Sequence, residues 1–252
     1  MYKRFGLVTG TAGLAVFAYL CIPGHPLGTF FYDLAPGIAR SALAYGQQNS
    51  QEFWTEVKNH VLISAAAIGL SFAICFPLGI LASRIPAMRA LTTNIVGIAR
   101  GVPGVAVLFL MWPLIGQGAK PALIALTILA APPVFLNTAA GYANVERSVI
   151  EAARGMGMNL SQILMRIETP LAAPVVLAGV RTAAIEVIAS ATIASYINFD
   201  TLGTPISTAI QYLPQSSAEA QLTLGVAAVA AIALMAELSL SVLQKLVSPP
   251  SP

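Results

Sequence analysis

Six stretches of this chain stay apolar long enough to cross a bilayer as helices, and polar connections separate them. They fall at about 5–22, 60–82, 91–115, 121–142, 171–197 and 221–243. A helix rises about 1.5 Å per residue, so a span needs about 20 apolar residues. The first stretch follows Lys3 and Arg4 and is longer than the core of a cleaved leader, which has about 7–15 residues. Leu20, rather than a small residue, precedes Cys21, so 5–22 reads as an uncleaved first span. The pattern predicts an all-α, polytopic transmembrane bundle of about six spans. No polar linker divides the later spans. The expected organisation is therefore an N-terminal helix with an outer segment over 1–59, one transmembrane domain over 60–245, and a disordered Pro/Ser-rich tail over 246–252.

Composition explains why the environment must be lipid. Hydrophobic residues make up 57% of the 252 positions and charged residues only 9%. Soluble domains carry about 25% charged residues, and so few charges cannot clothe a water-facing surface of this size. The net charge of +3 comes without a basic run, so no nucleic-acid partner is expected. Lysine and arginine set the orientation through their excess on the cytoplasmic side. With the N-terminus inside, the inner segments hold Lys3, Arg4, Arg84, Arg89, Arg147, Arg154, Arg166 and Lys245, and the outer segments hold Arg40, Lys58 and Lys120. Eight against three predicts an inner-membrane protein with a cytoplasmic N-terminus.

Between the spans, the outer connection 23–59 carries Phe30, Phe31, Tyr32, Tyr45, Phe53 and Trp54. These rings suit either an interfacial belt or a ligand cage. A second outer connection, 198–220, is broken by Gly203, Pro205 and Pro214. Cys21 and Cys75 lie in separate apolar runs and read as buried thiols. His25 and His60 lack a second ligand at metal spacing and read as interfacial or loop residues.

The most polar inner segment is 144–170. Ser148 and Glu151 have the S-x-x-E spacing of a capping box, and Gly155 and Gly157 suit the end of a short helix. Asn159 with Gln162 can cap a second helix, 160–167, which Pro170 is expected to stop before the next span. The result is a helix–turn–helix under the membrane with Met156, Met158 and Leu160 near its tip. Small Ala152 and Ala153 would let a partner approach the backbone, and methionine adapts to a groove, so this tip reads as a contact site.

Glu151-Ala152-Ala153, Gly157, Ile167 and Pro170 resemble the EAA motif of ABC importer permeases, with Thr169 where leucine is usual. Thr169 is expected to keep the packing through its methyl group. Pro77–Leu81 (PLGIL), 151–158 (EAARGMGM), 174–182 (PVVLAGVRT) and 191–195 (ATIAS) resemble permeases for glycine betaine and related osmoprotectants. Residues 201–206 (TLGTPI) are similar to low-affinity betaine uptake permeases of Gram-negative bacteria, whereas 196–200 (YINFD) departs from the small, Gly-containing stretch common there. The resemblance covers about 55–245. It implies a type I permease fold with cytoplasmic coupling helices. It also implies a second permease subunit, identical or not, a cytoplasmic ABC ATPase dimer and a periplasmic substrate-binding protein. Glu151, Ala152, Ala153, Gly155, Met156, Gly157, Met158, Ile167 and Pro170 would then dock the ATPase, whose closure moves the spans between inward- and outward-open states. The chain contains neither G-x-x-x-x-G-K-[ST] nor G-x-S-x-G, so it is expected to be no enzyme and to carry no cofactor, with ATP and Mg bound by the partner.

Ionisable residues inside spans are expensive and usually functional. Arg100 precedes the helix-breaking Gly101-Val102-Pro103-Gly104 and could bond freed carbonyls or snorkel. Arg181 and Glu186 stand five apart, a poor spacing for a pair on one helix, which leaves an ion pair with another span or a pathway role. Glu237 could snorkel or meet Lys245. Asn137, Glu186, Ser190, Thr192 and Ser195 are the pathway candidates, since oxygen dipoles and a carboxylate suit a quaternary ammonium. Each hydroxyl could equally bond a preceding helical carbonyl. A permease for another small solute, or a scaffold without transport, are the rival readings.

Overall fold

The computed structural model describes residues 36–85, 103–213 and 215–248, and among them every regular element is helical. The elements are α1 (Pro36–Gln48), α2 (Ser50–Arg84), α3 (Gly104–Ile115), α4 (Ala119–Ala143) and α5 (Arg147–Gly155). Then come α6 (Leu160–Ile163), a π turn (Leu164–Glu168), α7 (Thr169–Ala191) with a 3-10 extension (Thr192–Ile197), α8 (Gly203–Tyr212) and α9 (Ser216–Val247). Four of these are long and apolar enough to cross a membrane: α2, α4, the continuous helix Leu160–Ile197, and α9. The apolar helix α3 is shorter. Span 5–22, Cys21, His25, Phe30 to Tyr32, Arg89, Arg100, Pro214 and the end of the tail lie outside the described residues.

α4 is the central helix, packed mainly against α2 on one side and α7 on the other. The core is built from small side chains, among them Ala67, Ala82, Ala122, Ala130, Ala183 and Ala191. Between lipid-soluble helices there is little hydrophobic gain from contact, so close backbone approach and van der Waals packing replace it. Gly179 shows the requirement: a Cβ there would lie 2.6 Å from both the Pro133 carbonyl oxygen and Asn137 Cβ. Gly79 does the same for α2, where a Cβ would come within 2.7 Å of Thr138 Cβ. On α9, by contrast, no residue of the most apolar 18-residue window is buried, which fits a lipid-facing helix.

Several expectations change. The outer connection 23–59 is helical over most of its described part. α2 runs unbroken across position 59, so its polar first turns stand beyond the apolar span. α1 packs on α9, where Gln221 Nε2 donates to Tyr45 Oη at 2.6 Å. The second outer connection contains α8, and α9 begins at Ser216. Proline-rich loops look irregular in sequence, but Pro205 sits in the first turn of α8, where it costs no hydrogen bond. His60 is neither interfacial nor in a loop. It is fully buried against α7, and its Nε2–H donates to the Ile188 carbonyl at 3.1 Å. Cys75 is a buried free thiol.

Candidate functional site

The inner hairpin is built from α5, a tight turn and α6. α5 ends in a full Schellman motif. The Met158 amide donates to Ala153 (3.1 Å), the Gly157 amide donates to Arg154 (2.9 Å), and Gly157 adopts φ +81°. Gly155 remains helical, so Gly157 alone supplies the left-handed residue. The next helix opens with a complete capping box: Asn159 Oδ1 accepts from the Gln162 amide, and Gln162 Oε1 accepts from the Asn159 amide, both at 2.9 Å. Back-to-back terminators therefore fix the turn without help from the spans.

The box expected at the start of α5 does not form. The N-cap is Glu146, without a side-chain cap, and Ser148 Oγ donates to the Glu146 carboxylate at 3.2 Å. The helix begins one residue before Ser148, which places its hydroxyl inside the first turn rather than at the cap. Glu151 and Ala152 are exposed, but Ala153 is buried and faces inward, so only one of the two alanines is presented to a partner.

Met156, Leu160 and Met165 are 74%, 76% and 66% exposed, three large apolar side chains on a segment that also carries Arg147, Glu151, Arg154 and Arg166. Gly155 and Gly157 are exposed beside it, and Met158 and Ile167 are half-buried. Exposed apolar side chains on a rigid turn have the chemistry of a contact site. Met165, in the π turn five positions after Leu160, was not singled out from sequence.

Pro170 does not stop a helix here. The helical stretch continues from Leu160 to Ile197. Pro170 has no N–H to give the Arg166 carbonyl, and its ring would crowd that carbonyl in α geometry. The turn before it widens to π geometry, with the Thr169 amide donating to Leu164. The Thr169 hydroxyl also donates to the Leu164 carbonyl (2.7 Å), so Tyr142 must donate to Thr169 Oγ1 (2.8 Å). Thr169 thus bonds α7 to α4 rather than replacing a leucine by its methyl alone. Beside it, Glu168 is buried and accepts both guanidinium arms of Arg84, the last residue of α2. Sequence reasoning counted Arg84 only as a topology charge and passed over Glu168. The available signal was a lone acid directly before a proline-started span.

The pathway candidates each have a local setting. Asn137, half-buried where Gly179 meets α4, donates through Nδ2 to the Pro133 carbonyl at 2.8 Å. Thr192 Oγ1 donates to Ala189 (2.7 Å) and Ser195 Oγ to Thr192 (2.9 Å), so both hydroxyl protons serve their own turn. Ser190 Oγ lies near Gly104, at the start of α3, and Glu186 is half-buried on α7. Pro103 is the exposed N-cap of α3. Arg181 reaches across to α9 and forms an ion pair with Glu237. Glu237 is therefore not paired with Lys245. Eight positions along one helix separate those two by about 12 Å, whereas Arg181 faces Glu237 directly. Gln244 Nε2 adds a bond to the Pro174 carbonyl (2.9 Å) at the same α7–α9 contact.

Residues 75–249 match the family described as "Binding-protein-dependent transport system inner membrane component". The carnitine transport permease protein OpuCB of Listeria monocytogenes is 37% identical over 161 residues, 64% of this chain and 74% of that protein. The choline transport system permease protein OpuBB of Bacillus subtilis (strain 168) is 35% identical over 157 residues, 62% and 72% of the two chains. Among solved structures, an inward-facing form of the MetNI methionine ABC transporter superposes with a TM-score of 0.68 at 19% identity, over 79% of this chain and 98% of that one. At that identity the likeness concerns the fold.

Proposed function

Because this chain belongs to the binding-protein-dependent transport system inner membrane component family, we propose that it is the membrane-spanning subunit of an ABC importer for a quaternary-amine osmoprotectant, such as carnitine, choline or glycine betaine. The carnitine and choline permeases it resembles support that cargo. A cytoplasmic ATPase dimer grips the α5–α6 hairpin and binds ATP and Mg. A second permease subunit completes the pathway, and a periplasmic binding protein delivers the solute. The hairpin faces the cytoplasm, as the excess of lysine and arginine on that side favours.

The observation that carries this reading is the hairpin itself. Its exposed Met156 and Leu160 flank a turn fixed by a Schellman motif and a capping box, exposed Met165 follows in the π turn, and the chain continues through 160–168 directly into a spanning helix. A rigid, apolar, exposed tip suits a groove on a soluble partner, and the continuous helix gives the partner a lever on the spans. Asn137, Glu186, Ser190, Thr192 and Ser195 remain the proposed pathway positions, with carbonyl and hydroxyl oxygens offered to a cation.

The test is uptake of labelled carnitine, choline and glycine betaine in cells lacking this chain, with unrelated amino acids as competitors. Loss of quaternary-amine uptake, restored by the wild-type chain, is the expected result. Unchanged quaternary-amine uptake overturns the cargo. Docking is tested separately: detergent-solubilised chain should retain its ATPase, and M156D/L160D should release it. Retention by that variant overturns the docking surface.

A further inference from the structure

Where the docking hairpin enters the membrane, the chain holds a feature that neither fold nor docking requires. Glu168 ends the π turn, and its side chain is only 2% exposed. Its two carboxylate oxygens meet the two terminal nitrogens of Arg84, with Nη1 donating to Oε1 at 2.9 Å. Arg84 closes α2 and is 46% exposed. One step along, Tyr142 near the end of α4 donates to Thr169, whose hydroxyl bonds the Leu164 carbonyl inside the π turn. The inner ends of α2, α4 and α7 are thereby tied to one five-residue turn.

Stability alone does not call for this pair. Desolvating a carboxylate is costly, and an apolar replacement for a buried pair is often neutral or stabilising. A bidentate guanidinium–carboxylate pair supplies something else: it fixes both distance and angle between two elements. A π turn, with wider and poorer hydrogen-bond geometry, is the place where a long helix bends most readily. Without a brace, a push on α6 would be absorbed in Leu164–Glu168 rather than carried into the spans.

We infer that Arg84 and Glu168 are positioning residues for energy coupling: their bidentate pair braces the π turn, so that displacement of the docking hairpin moves α2 and α7 together. The inference rests on the ATPase-docking reading. Loss of the brace leaves nucleotide hydrolysis running and disconnects it from transport.

The experiment uses the full transporter in liposomes, with ATP hydrolysis, solute uptake and ATPase retention measured on the same preparation. In R84Q and E168Q, the ATPase stays bound and hydrolysis continues, while solute moved per ATP falls by about tenfold. The charge swap R84E/E168R restores part of that ratio, which a merely destabilising effect would not do. R84K, which keeps the charge but loses the planar fork, gives an intermediate ratio and serves if the neutral variants fail to fold. An unchanged ratio in folded R84Q, or in R84K where R84Q does not fold, overturns the inference. Failure of the wild-type chain to retain any ATPase overturns the docking reading instead.

Discussion

Gly157 offers a measurement of how the α5–α6 turn is held. It adopts φ +81°, while Gly155, two residues earlier, is helical, and a Cβ at either position would meet nothing within 4 Å. Alanine at the two sites therefore differs in backbone conformation, not in crowding within the chain. An L-residue in the left-handed region costs about 1–2 kcal/mol. Against this stand the two bonds of the Schellman motif, Met158 to Ala153 and Gly157 to Arg154. The motif should stay formed in G157A but open more often, by about 5- to 30-fold for that energy. G155A should be neutral or slightly stabilising, because replacing a helical glycine by alanine restricts the unfolded chain. Hydrogen-exchange mass spectrometry on the purified chain reads this directly, through the amides of Gly157 and Met158. Faster exchange there in G157A and unchanged or slower exchange in G155A is the expected pattern. Equal protection in both variants would refute the assignment of the left-handed strain to Gly157.

Five further variants test the packing and the caps. Gly179→Ala places a Cβ 2.6 Å from the Pro133 carbonyl oxygen, a backbone atom that cannot swing away. The α4–α7 contact should lose about 1–3 kcal/mol, visible as a lower thermal midpoint in detergent, and an unchanged midpoint contradicts the close approach. Arg181→Leu leaves Glu237 without its partner at the α7–α9 contact. That single variant should melt below the double variant Arg181→Leu/Glu237→Leu, because a stranded intramembrane charge costs more than a removed pair. The opposite order rejects the pair. Asn159→Ala removes the acceptor for the Gln162 amide and should cost about 1 kcal/mol locally, read as faster exchange of that amide. Ser148→Ala should leave exchange in α5 unchanged, since no cap forms there.

The apolar stretches by themselves determined that this chain is a helical membrane protein, because unbroken apolar runs of about 20 residues suit spanning helices and not the short alternating strands of a barrel. Span positions for α2, α4, α7 and α9 were legible for the same reason. So were the turn at Gly157 and the cap at Asn159, since their hydrogen bonds close within a few residues and depend on little else. The Ser148 box failed although its spacing was right. Where a helix begins is decided by the chain around it, and here it begins at Arg147. What the sequence could not carry lies between helices. Pro170 read as a stop because its missing amide breaks an α turn, yet the fold absorbs it in a π turn. His60 read as an interfacial or loop residue because no second ligand stands near it in sequence, while Ile188 supplies a hydrogen-bond partner 128 positions away. Arg84 with Glu168, and Arg181 with Glu237, join residues 84 and 56 positions apart. Such pairs leave no periodic trace, because only tertiary packing brings the two charges within reach of each other.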